Sequence, residues 1–260
     1  MSAPATVAVL GLGEAGGAIA ADLAAGGAKV VGWDPAGGDV DGVEFATDDR
    51  TAVTGADLVL SVNWARVAVE AAESAASVLG AGQLYADLNT GSPGMKRAVA
   101  EVIAGTGADF ADVALMAQVA GRGVRTPALV SGPGAALFAR AMVGHGMPVT
   151  LLDSEPGAAA ARKLVRSVYV KGMTAALGEA LAAGERLGCE EWLAGDIART
   201  LDEADGAFAD RLLTGSRQHA RRRMDEMAAA AAMLEELGVE PRMASASEAW
   251  LRELAGRETP

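Results

Sequence analysis

A glycine-rich turn near the start of the chain has the spacing of a phosphate-binding loop. Gly11, Leu12, Gly13, Glu14, Ala15 and Gly16 read G-x-G-x-x-G, directly after an apolar segment over residues 6–10. In such a turn the glycines allow a tight strand-to-helix turn, close approach of a pyrophosphate, and packing of the helix on the sheet. We therefore predict that this turn binds a dinucleotide. The alternative is a strand, turn and helix with a purely structural role.

An acidic residue after the second apolar segment indicates which dinucleotide binds. Asp34 lies 18 residues beyond Gly16, close to the roughly 20 residues typical of the ribose-binding carboxylate. A carboxylate there accepts hydrogen bonds from the adenosine ribose and repels a 2′-phosphate. Residues 35–48 contain no Lys or Arg that could bind that phosphate. The sequence therefore predicts NAD, with NADP as the less favoured cofactor.

Polar residues follow two later strand-like segments. Val62 and Asn63 end one segment, and Thr90 belongs to the loop Asp87-Leu-Asn-Thr-Gly-Ser-Pro that ends the next. Ligands of open α/β sheets bind outside the carboxyl ends of the strands, so we expect these three residues near the cofactor. Ser92 and Pro93 also fit the start of a helix, as N-cap and first residue. The two roles of the loop are compatible.

A lysine lies near the start of a long helical pattern. Lys163, Ser167 and Lys171 are spaced four residues apart and therefore share one helix face. The simplest interpretation is a solvated basic face. A positioned lysine can also transfer a proton to or from a reacting oxygen.

Composition excludes several classes of protein. The 260 residues carry 22 Lys+Arg against 34 Asp+Glu, a net charge of −12, which argues against a nucleic-acid partner. One Cys and two His exclude an internal disulfide, a Cys-based metal cluster and a multi-histidine metal site, so we expect no metal. The chain shows neither a secretion signal nor an apolar run of the roughly 18 residues that span a membrane. These features predict a cytoplasmic protein without a membrane partner.

The order of the elements predicts an α/β fold. Short apolar segments alternate with helical patterns in the first half, which is typical of a mostly parallel, doubly wound Rossmann sheet. From residue 157 onward only helical periodicity occurs. We therefore predict a dinucleotide-binding domain over residues 1–155 and a helical substrate and dimerisation domain over residues 156–260. Predicted strands are 6–10, 29–33, 42–45, 57–62, 83–88, 110–115 and 128–131; predicted helices are 15–25, 67–79, 95–104, 158–187, 190–203, 208–213, 216–237 and 244–254.

Together these motifs resemble the β-hydroxyacid dehydrogenases, which include 3-hydroxyisobutyrate and 6-phosphogluconate dehydrogenases. The resemblance rests on the glycine turn with Asp34, the D-x-N-T-x-S-P loop, and a G-x-(G)-x-x-x-K helix start. It implies a helical C-terminal half of the 6-phosphogluconate dehydrogenase type and a homodimer with intertwined C-terminal domains. It also implies that Lys163 is the catalytic acid–base, and it places Ser167, where the family has Asn, at the substrate.

The chain departs from the better-known members of that family in two segments. Met116-Ala-Gln118 replaces a Ser-Gly-Gly that binds the substrate carboxylate in those members. The second segment, His219-Ala-x-Arg222-Arg-x-x-Glu-Met, is similar to a subgroup whose C-terminal domain has no assigned function. The family is therefore better specified than the substrate.

Basic residues indicate the charge of the substrate. Arg122, Arg125, His219 and Arg222 are basic residues near the predicted cleft of an acidic chain, which predicts a small-molecule substrate bearing a carboxylate or phosphate. The alternative for Arg122 and Arg125 is a charged loop. The alternative for Arg222 is an exposed helix face paired with neighbouring acids.

The sequence thus predicts an NAD-dependent dehydrogenase or reductase that transfers a hydride to or from a small, anionic hydroxy acid. An imine reductase on the same fold is one alternative, although Lys163 argues against it. A catalytically silent NAD(P)-binding redox sensor is the other.

Overall fold

The computed structural model describes residues 6–257 and divides the chain into two units, Met1–Arg166 and Ser167–Pro260. The first unit is built on one eight-stranded sheet in the order β3-β2-β1-β4-β5-β6-β7-β8. All neighbouring strands are parallel except β6 and β7, which are antiparallel. The strands are β1 Thr6–Leu10, β2 Lys29–Trp33, β3 Val43–Phe45, β4 Leu58–Ser61, β5 Leu84–Asp87, β6 Asp109–Leu115, β7 Ala128–Ser131 and β8 Val149–Leu151.

Helices cover both faces of this sheet. They are α1 Glu14–Ala25, α2 Asp49–Val53, α3 Ala68–Ala76, α4 Pro93–Ala104 and α5 Ala135–Val143. One core layer includes Ile19 of α1 and Phe138 of α5, and the other includes Ala72 of α3 and Val99 of α4. The central strands are therefore apolar on both faces, which explains why they read as continuous apolar runs. The predicted doubly wound α/β fold is confirmed.

The second unit is helical throughout its described residues. Its elements are the larger part of α6 (Ala158–Leu187), then α7 Glu190–Asp202, α8 Phe208–Gln218, α9 Ala220–Glu236 and α10 Arg242–Arg257. The division between the units falls inside α6, whose first residues belong to the first unit. The Glu179 carboxylate of α6 accepts the backbone N–H groups of Met243 and Ala244 at 2.7 and 2.9 Å, which satisfies two free amides at the start of α10. No helix within residues 6–257 is long and apolar enough to cross a membrane.

Some predicted boundaries were wrong. The helix predicted over 216–237 begins only at Ala220, because α8 continues to Gln218. The backbone at His219 (φ −127°, ψ 29°) separates the two helices. Helices α2 and α5 and the short edge strand β8 were missing from the prediction.

Candidate functional site

The glycine turn between β1 and α1 requires glycine at two positions. Gly11 has φ +95°, and a Cβ there would lie 2.5 Å from the Val62 carbonyl oxygen. A Cβ at Gly16 would overlap the Gly11 carbonyl oxygen. The first turn of α1 can therefore close against the end of β1 only because both residues lack a side chain.

Gly13 leaves the start of α1 open. It is the N-cap of α1 and provides no side-chain acceptor for the first amides of that helix. Apart from its neighbours along the chain, no atom of residues 6–257 lies within 4 Å of the position that a Cβ would occupy at Gly13. The free N–H groups and the positive end of the helix dipole suit an anion such as a pyrophosphate.

Asp34 lies beside this turn at the end of β2. Its Oδ2 accepts the backbone N–H of Leu12 at 2.8 Å, and its Oδ1 accepts that of Ala36 at 2.9 Å. A carboxylate has about four lone-pair sites, so both oxygens can still accept ribose hydroxyls. Together with the open space at Gly13, this arrangement fits a dinucleotide.

Two strand-end loops are joined next to the turn. The Ser61 hydroxyl accepts Asn63 Nδ2 at 3.2 Å and Asn89 Nδ2 at 3.1 Å. Asn89 is buried, and its Oδ1 has no hydrogen-bond partner among the described residues. An unpaired buried amide oxygen is available to an amide or hydroxyl donor of a ligand.

These loops surround a cavity of about 450 Å³. Its wall combines a few polar groups with a mainly apolar surface, and Trp64 at its rim is 71 % exposed. The lining residues are Ala15, Val62, Asn63, Trp64, Ala65, Leu88, Asn89, Thr90, Leu115, Ala117, Val119 and Lys163. The cavity therefore brings together the predicted residues Ala15, Val62, Asn63, Thr90 and Lys163.

Lys163 lies in the second turn of α6 and within the first unit. Its Nζ donates a hydrogen bond to Thr90 Oγ1 at 2.8 Å. The pair joins the helix to the loop after β5 in the wall of the cavity. Ser167, four residues later, belongs to the second unit and is half-buried.

The predicted basic residues lie elsewhere. Arg122 and Arg125 are exposed, and neither lines the cavity, to which their loop contributes Ala117 and Val119. Asp22 of α1 holds this loop by accepting the Val124 N–H at 2.9 Å.

The two basic residues predicted in the second unit are exposed as well. Arg222 Nη1 lies 3.9 Å from Glu226 Oε2, one helical turn away, as expected for an ion pair on an exposed helix face. His219 lies at the junction of α8 and α9.

A buried ion cluster behind the cavity was missed by sequence reasoning. Lys96 of α4 donates to the backbone oxygen and to Oδ1 of Asp87, both at 2.7 Å, and lies 3.3 Å from Asp112 Oδ1. The side chains of all three residues are no more than 1 % exposed. The available signal was the position of Lys96 on the same helix face as the core residues Val99 and Ile103. Within residues 6–257 no group of three or more His, Cys, Asp or Glu could hold a metal ion.

Comparison with known proteins places the chain among dehydrogenase-like proteins. Residues 185–254 match the family described as a domain of unknown function, DUF1932. A conserved hypothetical protein from Sinorhizobium meliloti 1021 is 31 % identical, with 96 % of this chain and 88 % of that chain covered and a TM-score of 0.63. A conserved protein whose structure is described as similar to 3-hydroxyacid dehydrogenases is 28 % identical, with 98 % and 100 % covered and a TM-score of 0.62.

Enzymes with bound cofactor share the fold. The imine reductase of Myxococcus stipitatus, solved with NADP+, is 23 % identical over 97 % of this chain and 95 % of its own, with a TM-score of 0.84. A variant of that enzyme was solved with NAD+. At this identity the likeness concerns the fold alone, whereas the two relatives above are 31 % and 28 % identical over nearly the whole chain. On the combined evidence of those relatives, the motifs and the fold, the chain belongs to the β-hydroxyacid dehydrogenase family.

Proposed function

We propose that this protein is a nicotinamide-dependent oxidoreductase that interconverts a hydroxyl and a carbonyl group on a small hydroxy acid, with Lys163 as general acid–base. The observation that carries the proposal is the Lys163–Thr90 hydrogen bond of 2.8 Å in the wall of the cavity. The same cavity reaches Ala15 in the first turn of α1, next to the glycine turn. A proton-transfer group and a dinucleotide-binding turn thus lie beside one space.

Different residues would bind the cofactor and transfer the proton. The free amides after Gly13 would hold the pyrophosphate, and Asp34 would hold the adenosine ribose. A bound nicotinamide supplies hydride chemistry. Lys163 would remove a proton from the substrate hydroxyl, or return it to the carbonyl oxygen, and Thr90 would orient the lysine. The apolar residues Leu88 and Leu115 exclude water from the reacting atoms.

Lys163→Ala tests the catalytic role. We expect turnover to fall by roughly 10²–10⁴-fold, the usual contribution of a positioned acid–base. NADH binding, measured by fluorescence titration, should survive because the glycine turn and Asp34 are untouched. Lys29→Ala is the matched control, since it removes a lysine whose side chain is 63 % exposed at the start of β2. Unchanged kcat in Lys163→Ala would refute the role.

A spectrophotometric screen would identify the substrate class. Hydroxy acids and neutral alcohols of matched size would be compared with NAD+ at alkaline pH. Preference for the acids supports an anionic substrate, and equal turnover contradicts it. Silence of every substrate, with measurable NADH binding, would instead indicate a redox sensor.

Reduction of a neutral carbonyl or imine is the second candidate. The mainly apolar cavity wall favours it, because Leu115, Ala117 and Val119 offer no charge to a carboxylate. Amine-dependent oxidation of NADH or NADPH in the presence of a ketone would support this candidate over the first.

We also propose that the protein is a homodimer. In the second unit, α6 presents apolar side chains to solvent, including Val168 at 76 % and Tyr169 at 69 % exposed. Such a surface is typical of an interface. Light scattering should give about twice the chain mass of 26.1 kDa, and Val168→Asp should shift the mass toward the monomer. A wild-type mass of one chain would contradict the proposal.

A further inference from the structure

The buried ion cluster connects the two segments that carry Lys163 and Thr90. Asp87 precedes Thr90 by three residues, and its Oδ1 also accepts the Asn89 backbone N–H at 2.8 Å. Lys96 therefore contacts the last residue of β5, directly before the loop that contains Thr90. The loop is held at its base by both the backbone and the side chain of Asp87.

Asp112 holds the start of the helix that carries Lys163. Its Oδ2 accepts the backbone N–H groups of Gly157 at 2.9 Å and Ala160 at 3.3 Å, and the Ser131 hydroxyl at 3.0 Å. The Ser131 oxygen in turn accepts the Ala159 N–H at 3.1 Å. Three amides at the start of α6 are thus fixed by side chains of β6 and β7.

These contacts close a ring. Lys96 binds Asp87 and Asp112, Asp87 begins the loop to Thr90, Asp112 caps the helix of Lys163, and Lys163 donates to Thr90. We propose that Lys96 is a positioning residue: by bridging Asp87 and Asp112 it sets the distance between Thr90 and Lys163. The inference rests on the proposed function in one respect: the distance between Thr90 and Lys163 affects catalysis only if Lys163 transfers the proton.

The charges explain why the bridge must be a cation. Two buried carboxylates repel one another, and the single ammonium of Lys96 between them leaves the cluster with one net negative charge. The amides at the start of α6 and the helix dipole face Asp112 and offset that charge. An apolar residue in place of Lys96 fills the same space, but it removes the ammonium contact to both carboxylates and leaves their two negative charges side by side in the core.

Lys96→Met tests the positioning role. Lys29→Met is the control, because it makes the same substitution at an exposed lysine. We expect kcat to fall by about 10²-fold, the usual loss for an approximately 1 Å misplacement of a reacting group. KM and the NADH dissociation constant should stay within about threefold of wild type, because the glycine turn is built on other strands. A folded Lys96→Met protein with wild-type kcat would overturn the inference.

A second measurement does not depend on knowing the substrate. The chain has four lysines, Lys29, Lys96, Lys163 and Lys171, so the Cε signals of [13C]lysine-labelled protein can be assigned by substitution and compared between variants by NMR. In Asp112→Asn we expect the Cε signal of Lys163 to shift, because the carboxylate that holds the start of its helix is lost, while the Lys29 signal should not move. An unchanged Lys163 signal would overturn the inference.

The outcomes separate the two proposals. If Lys96→Met fails to fold, the NMR spectrum of Asp112→Asn decides about the bridge. If the wild-type protein turns over no substrate, the proposed function fails, and the Lys163 Cε signal still supports or overturns the coupling between the cluster and Lys163.

Discussion

Substituting Gly13 and Gly16 separately should distinguish cofactor binding from folding. Gly13→Ala places a methyl group where, beyond the adjacent backbone, the described part of the chain has no atom within 4 Å. The backbone there is extended (φ −62°, ψ −167°), a conformation that alanine adopts without strain. Alanine is a poorer N-cap than glycine, and it restricts the unfolded chain, so the two effects oppose each other at roughly 0.5–1 kcal/mol each. The melting temperature should therefore change by no more than about 2 °C.

The added methyl group should nevertheless weaken NADH binding. It would project into the space beside the first amides of α1, where we place the pyrophosphate. Losing one charge-assisted hydrogen bond costs about 1.5–3 kcal/mol. That cost corresponds to a roughly 10- to 150-fold increase in the dissociation constant.

Gly16→Ala should fail in a different way. Its Cβ would overlap the Gly11 carbonyl oxygen, a backbone atom with little freedom to move. Overpacking of this kind costs about 1–3 kcal/mol. In a protein of this size we expect a loss of roughly 2–12 °C in melting temperature.

Thermal melting and NADH fluorescence titration of both variants provide the assay. A Gly13→Ala protein that binds NADH as tightly as wild type would refute the placement of the pyrophosphate at this turn. A Gly13→Ala protein that melts as early as Gly16→Ala would refute the assignment of its effect to binding alone.

Two further predictions concern charge. Asp34→Asn should raise the NADH dissociation constant about tenfold, since hydrogen bonds to a charged acceptor are lost, while NADPH binding stays equal or improves; a wild-type protein that prefers NADPH would contradict this. Burial, and secondarily the nearby Asp87 carboxylate, raises the pKa of Tyr85 well above its ordinary value of 10.0. The phenol favours the folded state below its ordinary pKa, and this contribution is lost as the pH rises above that value. Tyr169→Phe leaves Tyr85 as the sole tyrosine of the chain, so the variant should show little tyrosinate absorbance at pH 10 until it unfolds; half-ionisation of the folded variant at pH 10 would argue against the buried environment.

Local sequence signals were sufficient for the elements with strong boundaries. Strands β1 and β2 and helix α6 have the predicted bounds, because short β-branched runs end at glycine or at a charged residue and α6 lies between Gly157 and Gly188. Strand β8 lacked such a signal. It has three residues at the edge of the sheet, and Thr150 and Leu151 are exposed, so no burial pattern marks it. Its existence depends on pairing with β7.

The candidate site was only partly within reach of the sequence. The glycine turn, Asp34 and the two strand-end loops could be placed together, since the carboxyl ends of parallel strands meet at one edge. The positions of Arg122 and Arg125 could not be predicted, because they depend on the route of a loop that Asp22 fixes from a distant helix. The basic residues therefore predicted an anionic substrate from the sequence alone. In the structure, however, Arg122 and Arg125 lie outside the cavity, which presents Lys163 and a mainly apolar wall.

The antiparallel strand β7 explains how Lys163 reaches the cavity. Its last residue, Ser131, pairs with Asp112 in the middle of β6, so the cap of α6 lies below the carboxyl edge of the sheet. From Asp112, β6 continues for three residues to Leu115, a rise of about 10 Å. Lys163 of α6 lies six residues after the capped residue Gly157, a rise of about 9 Å at helical spacing. The two lengths agree, and Leu115 and Lys163 both line the cavity. Because β7 runs antiparallel, its last residue lies beside the middle of β6, and α6 begins there. Less than two helical turns then carry Lys163 to the cavity, where it contacts Thr90.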